Sequence, residues 1–310
     1  MFSLVFPGQG SQTVGMAKEF YENFDLVKKL FKEADEILNI NLTKNILEGP
    51  KEKLDMTENT QPAIFLVGYS IFQVALKEFN IRLDEAKFLA GHSLGEYTAL
   101  SCAQSLQFKD ALKILKIRGY SMQNAVPLGE GGMIAVLGIS IEELEKILQE
   151  NKNNFSCYIA NDNSVGQVVV SGKTNDLEKL TNELKIKKIK NIKLPVSAPF
   201  HCPLMKKATE IMKPEIEKVE IKMPNNKILS NVSAKEAENV NDLKNLLISQ
   251  IESRVRWREI INNIIDKNCN NFVEIGPGKV LSGMIKRVSK NVNINTINTI
   301  DDIKNLKIHD

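Results

Sequence analysis

Ser93 stands in the pentapeptide Gly91-His92-Ser93-Leu94-Gly95, a G-x-S-x-G pattern with a glycine at either flank. Where such a segment joins a strand to a helix, the backbone can make a tight, strained turn that presents the serine hydroxyl outward, the arrangement known as a nucleophile elbow. The neighbouring residues suit that reading: Lys87 to Ala90 is a short apolar run expected to be a strand, and a helix is expected from Glu96 to Gln104. The competing reading is a glycine-softened turn whose serine merely caps the following helix.

A serine hydroxyl is a poor nucleophile at neutral pH and needs a base within about 3 Å. The sequence holds three histidines: His92, His201 and His309. His92 adjoins the serine, and adjacent side chains at such a corner diverge. His309 is the penultimate residue, expected in a mobile tail. Elimination leaves His201, in SAPFHCPLM, where Pro195, Pro199 and Pro203 favour a rigid, extended loop. No local pattern marks an acid between serine and histidine. Asp110 and Asp162 are available but read as solvated or turn residues. A base can instead be oriented by a neutral acceptor such as a backbone carbonyl, so a Ser93–His201 dyad is expected rather than a full triad.

The elements that must position these residues follow an α/β pattern. Ser3 to Phe6 reads as a buried strand running into the turn PGQGSQ, and a mostly helical stretch follows from Gly15 to about Leu38. Thr60-Gln61-Pro62 then opens a long apolar helix, with the proline in its first turn, where its missing N–H costs nothing. From Gly131 to Val196 the order is β-α-β-β-α-β, a ferredoxin-like sequence of elements. Because α/β texture resumes in KILSNVS and NFVEIGPGKVLSGMIKR, this block reads as an insertion. The expected architecture is an α/β-hydrolase-like core with a parallel sheet, residues 1–128 and 197–310, carrying a ferredoxin-like small subdomain, residues 129–196.

Composition narrows the class of function. Forty-one basic against thirty-eight acidic residues give a net charge of +3, too balanced for nucleic-acid binding to be the main activity. No apolar run approaches the roughly 20 residues of a membrane span, and MFSLVFPGQG lacks the basic start of a secretory signal, so neither membrane nor secretion is expected. The four cysteines, Cys102, Cys157, Cys202 and Cys269, form no CxxC pair and have no histidine at ligand spacing, which argues against a metal site and suits a reduced cytoplasm. GEGGM and GPGK lack the full context of a phosphate loop and read as turns. The basic runs KIKKIKNIK, residues 185–193, and RVRWR, residues 254–258, read either as solvated faces or as a rim for anionic partners.

GHSLGEY (91–97), PGQGSQ (7–12), RGYSMQNAVP (118–127), APFHCPLM (198–205), SNVSA (230–234) and EIGPGKVLSGM (274–284) together resemble the acyl-carrier-protein S-malonyltransferase family. The resemblance implies that Ser93 is the acylated nucleophile and His201 its base. It further implies that the Gln250 backbone carbonyl orients His201, and that the backbone N–H groups of Gln9 and Leu94 form an oxyanion hole. Such a donor is worth on the order of 3 kcal/mol in other acyl transfers. Arg118 is implied as the receptor of a malonyl carboxylate, which a planar guanidinium can grip through two parallel bonds. Met122 would line the pocket beside it, Phe200 matches the malonyl-selective form, and Asn161 and Asn231 match positions near the cleft. The implied activity is ping-pong transfer of a malonyl group from malonyl-CoA to the phosphopantetheine thiol of acyl carrier protein, for fatty-acid synthesis or alternatively polyketide synthesis. No metal or redox cofactor and a monomeric chain are expected. The rivals are a serine esterase or thioesterase, which would want an acidic triad member and an HGGG-type hole, and a silent carrier-binding module.

Overall fold

The computed structural model describes residues 1–307; His309 lies outside the described residues. Nine strands are found among the described residues: β1 (Phe2–Phe6), β2 (Phe88–Gly91), β3 (Gly131–Leu137), β4 (Cys157–Ser164), β5 (Gln167–Lys173), β6 (Lys190–Lys193), β7 (Lys227–Ile228), β8 (Asn271–Ile275) and β9 (Asn293–Ile297).

β1, FSLVF, and β2, FLAG, are buried at every residue, as strands covered on both faces by helices must be. They lie in a parallel sheet of order β7-β2-β1-β8-β9. Alternation divides their side chains between two cores. Leu4, Phe6, Leu89, Val273 and Ile275 join the helices Asp25–Leu38, Thr57–Lys77 and Phe108–Gln123 on one face. Val5, Phe88, Ala90 and Phe272 meet Trp257, Ile260, Ile261 and Leu281 on the other. Phe6 pairs with Gly91, and Val5 with Glu274, so three carboxyl ends lie side by side. The turns after them, PGQG, GHSLG and GPGK, therefore share one edge, where open α/β sheets build their sites.

The second sheet is antiparallel, in the order β4-β5-β3-β6, which is the ferredoxin-like arrangement. Helices Ile141–Glu150 and Thr174–Ile186 cover one face through Leu144, Ile147, Leu177 and Leu180. From its other face Met133, Ala135 and Val169 join the first large core. β4 is tied to the segment around Val255: the Val255 amide donates to the Ala160 carbonyl at 2.8 Å, the Asp162 amide donates to the Val255 carbonyl at 2.9 Å, and the Asp162 carboxylate accepts from Arg258 at 2.9 Å.

Three local expectations need correction. The stretch from Gly15 to Leu38 is two helices, Lys18–Asn23 and Asp25–Leu38, because Phe24 between them is extended (φ −125°, ψ 120°). The long apolar helix begins at Thr57, so Pro62 is its sixth residue rather than part of its first turn. The Met56 carbonyl, at the end of helix Lys51–Asp55, already accepts the Asn59 and Thr60 amides and starts the helix a turn early. Asp162, read as solvated, is fully buried in β4 and paired with Arg258. That pairing also shows that the arginines of RVRWR are not a free basic rim: Arg254 and Arg256 pair with Glu145 and Glu259.

Candidate active site

The corner after β2 closes because its glycines have no side chains. A Cβ on Gly91 would lie 1.9 Å from the carbonyl of Gly95, and one on Gly95 would lie 2.2 Å from the Phe6 carbonyl oxygen. Between them Ser93 is held at φ +53°, a left-handed conformation costing a non-glycine residue roughly 1–2 kcal/mol. Asn231 sustains the strained turn: its Oδ1 accepts the Ser93 amide at 2.7 Å, and its Nδ2 donates to the Gly91 carbonyl at 2.7 Å. Asn231 is thus part of the elbow's frame.

His201 arrives from the loop that follows β6. Ser171 Oγ on β5 donates to the Phe200 carbonyl at 2.6 Å, and His201 itself sits at φ +57°. Its Nε2 lies 2.8 Å from Ser93 Oγ, and its Nδ1 lies 2.8 Å from the Gln250 carbonyl oxygen. A carbonyl can only accept, so Nδ1 carries the proton and Nε2 presents its lone pair to the serine. Burial first, and the nearby Arg118 cation second, lower the His201 pKa to about 3, so the ring is neutral at physiological pH. His92 points elsewhere, its Nε2 2.9 Å from Asn163 Oδ1 and its ring edge-on to Trp257.

Arg118, on helix Phe108–Gln123, is 0% exposed. Its Nη1 donates to Gln61 Oε1 at 2.7 Å, and its Nη2 to Gln250 Oε1 at 2.8 Å and to Ser93 Oγ at 3.2 Å. Its Nε is buried without a hydrogen-bond partner among the described residues, and its guanidinium lies 5.6 Å from the Tyr97 ring centre. No carboxylate pairs with it among the described residues. A wholly desolvated cation with neutral partners is costly, and burial lowers its pKa. Such a group can receive an anion, and it is set against Ser93 Oγ.

The structure also brings Met122 to this group, its sulfur 3.9 Å from Gln61 Nε2. Gln9 Nε2 reaches Thr57 Oγ1 at 3.3 Å. The Gly95, Glu96 and Tyr97 amides bond to the carbonyls of His92, Ser93 and Leu94, whereas those of Leu94 and Gln9 carry no hydrogen bond to another described residue. Phe200 is buried in the main core. Asn161 is buried in β4, and its side chain makes no bond to Ser93, His201 or Arg118 among the described residues; Asn163, two residues on, reaches the elbow instead. A cavity of about 610 Å³ opens beside His201, lined among others by Tyr158, Ile159, Cys202, Pro203, Lys152 and Arg254.

Gln61, Glu96 and the side chain of Gln250 escape a reading of the sequence alone. Glu96 had a legible signal, being the charged residue of a helix, GEYTALSC, that is buried throughout. Gln61 is likewise a polar residue at the head of an apolar run.

A strained serine, a neutral histidine held by a carbonyl and a buried arginine define an enzyme of acyl transfer. The chain belongs to the family of the acyl transferase domain, whose model matches residues 3–307. Within that family it is similar to the malonyl CoA-acyl carrier protein transacylase of Bacillus subtilis (strain 168), 43% identical over 290 residues, which are 93% of this chain and 90% of that one. The acyl-carrier-protein S-malonyltransferase of Bartonella henselae superposes with a TM-score of 0.94 at 38% identity, over 98% of each chain. A malonyl-transacylase solved in complex with its type II PKS acyl-carrier protein superposes with a TM-score of 0.93 at 34% identity, over 98% of this chain and 97% of that one.

Proposed function

We infer that this enzyme moves a malonyl group from malonyl-CoA to the phosphopantetheine thiol of an acyl carrier protein through a malonyl-serine ester, supplying extender units for fatty-acid synthesis. The observation that carries the substrate is Arg118: a buried cation with no carboxylate in direct contact among the described residues, 3.2 Å from the Ser93 hydroxyl, suits an acyl group ending in a carboxylate. The names of the similar proteins and the complex with a carrier protein point the same way.

In the first half-reaction Ser93 Oγ gives its proton to His201 Nε2 and attacks the thioester carbonyl. The oxyanion faces the amides of Leu94 and Gln9. The carbon–sulfur bond breaks, coenzyme A takes the proton back from Nε2, and malonyl remains on oxygen. Pairing of the malonyl carboxylate with Arg118 offsets the positive field that depresses His201, so the substrate strengthens the base that activates its attacker. The carrier's thiol reverses the path. The cycle moves protons and one acyl group, and calls for no metal or redox cofactor. We place it in the cytoplasm and take the chain to act as a monomer; all four cysteines are free.

Intact mass measurement after exposure to malonyl-, methylmalonyl-, acetyl- and long-chain acyl-CoA tests the reading, with Ser93→Ala as control. A malonyl adduct that depends on Ser93 and passes to a holo carrier protein is expected. Rapid hydrolysis without transfer would show a thioesterase instead.

A further inference from the structure

Glu96 is 1% exposed, takes no part in the cycle above, and yet touches the group that links both halves of the site. Its Oε2 accepts from Gln250 Nε2 at 2.7 Å and from the Asn231 amide at 3.0 Å. Gln250 Nε2 also donates to the Ser93 carbonyl at 3.1 Å, while its Oε1 receives Arg118 Nη2 at 2.8 Å and its backbone carbonyl receives His201 Nδ1–H at 2.8 Å. One residue, Gln250, therefore holds both the base and the anion receptor.

The side-chain amide of Gln250 has two possible faces, and only one satisfies its neighbours. Reversed, it would set an NH₂ against the guanidinium, donor against donor, and turn its oxygen toward the Glu96 carboxylate and the Ser93 carbonyl, both acceptors. Other buried acids here act differently. Glu274 spends its two oxygens on the Leu281 and Ser282 amides and the Ser282 hydroxyl, a local cap for helix Val280–Val288. Glu96 leaves Oε1 buried without a partner among the described residues and directs Oε2 into the site.

We propose that Glu96 is a positioning residue of this reaction: acting through the Gln250 amide, it locks Arg118 in the pose that receives the malonyl carboxylate beside Ser93. The role asks for an oxygen acceptor and not for a charge. Burial raises the Glu96 carboxyl to about 7, so it is divided between its charge states near neutrality, and Oε2 can accept in either. The inference rests on the malonyl-transfer reading.

The test compares Glu96→Ala, Glu96→Gln, Gln250→Ala and the double variant Glu96→Ala/Gln250→Ala with the wild type. For each, kcat/KM is measured with malonyl-CoA and with acetyl-CoA, together with thermal unfolding. Glu96→Ala is expected to lower the malonyl-to-acetyl ratio by about tenfold or more, and Glu96→Gln, which keeps an acceptor oxygen, to stay within about threefold of the wild type. The double variant is expected to match Gln250→Ala alone, because the effect of Glu96 passes through that side chain. Glu96→Met removes the acceptor at similar volume and serves where the alanine variant does not fold. A wild-type ratio in Glu96→Ala or Glu96→Met overturns the inference, as does a Glu96→Gln protein as defective as the alanine one, or a double variant in which the losses multiply. If the wild type accepts no malonyl group, the functional reading falls and this inference with it; if it does, only the variants decide.

Discussion

Arg118 donates to the hydroxyl of Ser93 at 3.2 Å, so a fully buried cation touches the nucleophile itself. A guanidinium at that place serves two ends. Under the proposed malonyl transfer, it would receive the substrate carboxylate and set how far the reacting carbonyl lies from Oγ, so that one side chain would link substrate choice to the position of attack.

Replacing Arg118 should therefore separate substrates. Arg118→Ala is expected to lower kcat/KM for malonyl-CoA by about 10²- to 10³-fold, the worth of two charge-assisted bonds, while acetyl-CoA loses about tenfold at most. Arg118→Lys keeps the charge without the planar fork and should still lose about tenfold with malonyl-CoA. Steady-state kinetics with the two thioesters checks both, and equal losses for the two would remove Arg118 from its role.

Two buried groups give opposite pH dependences of stability. The folded His201 pKa is lowered to about 3 from 6.5, so between those values the unfolded chain binds the extra proton and stability falls as pH falls. The folded Glu96 pKa is raised to about 7 from 4.5, so between those values the folded protein holds the extra proton and stability falls as pH rises. In Glu96→Gln that second loss disappears. Relative to the wild type, this variant should gain stability between pH 4.5 and 7, by about 3 kcal/mol at most. Urea unfolding across the range reads this directly, and a constant difference would contradict it.

Strain at the elbow predicts a trade between stability and activity. Ser93→Gly and Ser93→Ala should both abolish the acyl adduct. Glycine accepts φ +53° without penalty whereas alanine does not, so Ser93→Gly should be the more stable of the two by about 1 kcal/mol in denaturant unfolding. The reverse order would show that the turn is not strained.

Asn231 is expected to behave as a frame residue. Asn231→Ala removes the two bonds that pin Ser93 and Gly91, and should lower kcat by about 10- to 100-fold with little change in KM for malonyl-CoA. A KM rise at constant kcat would point instead to direct substrate contact.

Much of this was legible in local patterns. Gly91 and Gly95 mark a corner because close backbone approach excludes a Cβ, and that requirement is written in residue type. The buried strand at Ser3 to Phe6 and the β-α-β-β-α-β order were likewise readable from the apolar pattern, whereas the division of Leu4, Val5 and Phe6 between two cores was not. Elimination among three histidines also reached His201, since a base must be one of few residue types. Helix starts were less legible: Pro62 looked like a first-turn residue because its missing N–H is a local signal, while the Met56 carbonyl that starts the helix earlier is a contact.

The sequence by itself determined which groups could do chemistry: a serine at a glycine-flanked turn, a histidine in a proline-braced loop and an arginine on a helix. Only the tertiary structure decided their states. Asp162 looked solvated and is a buried partner of Arg258; Glu96, read only as the start of a helix, lies buried beneath the site. Charge, tautomer and bond direction depend on desolvation and on partners up to 157 residues away in the chain, as between Gln250 and Ser93. Those are properties of the packed interior, and no spacing along the chain records them.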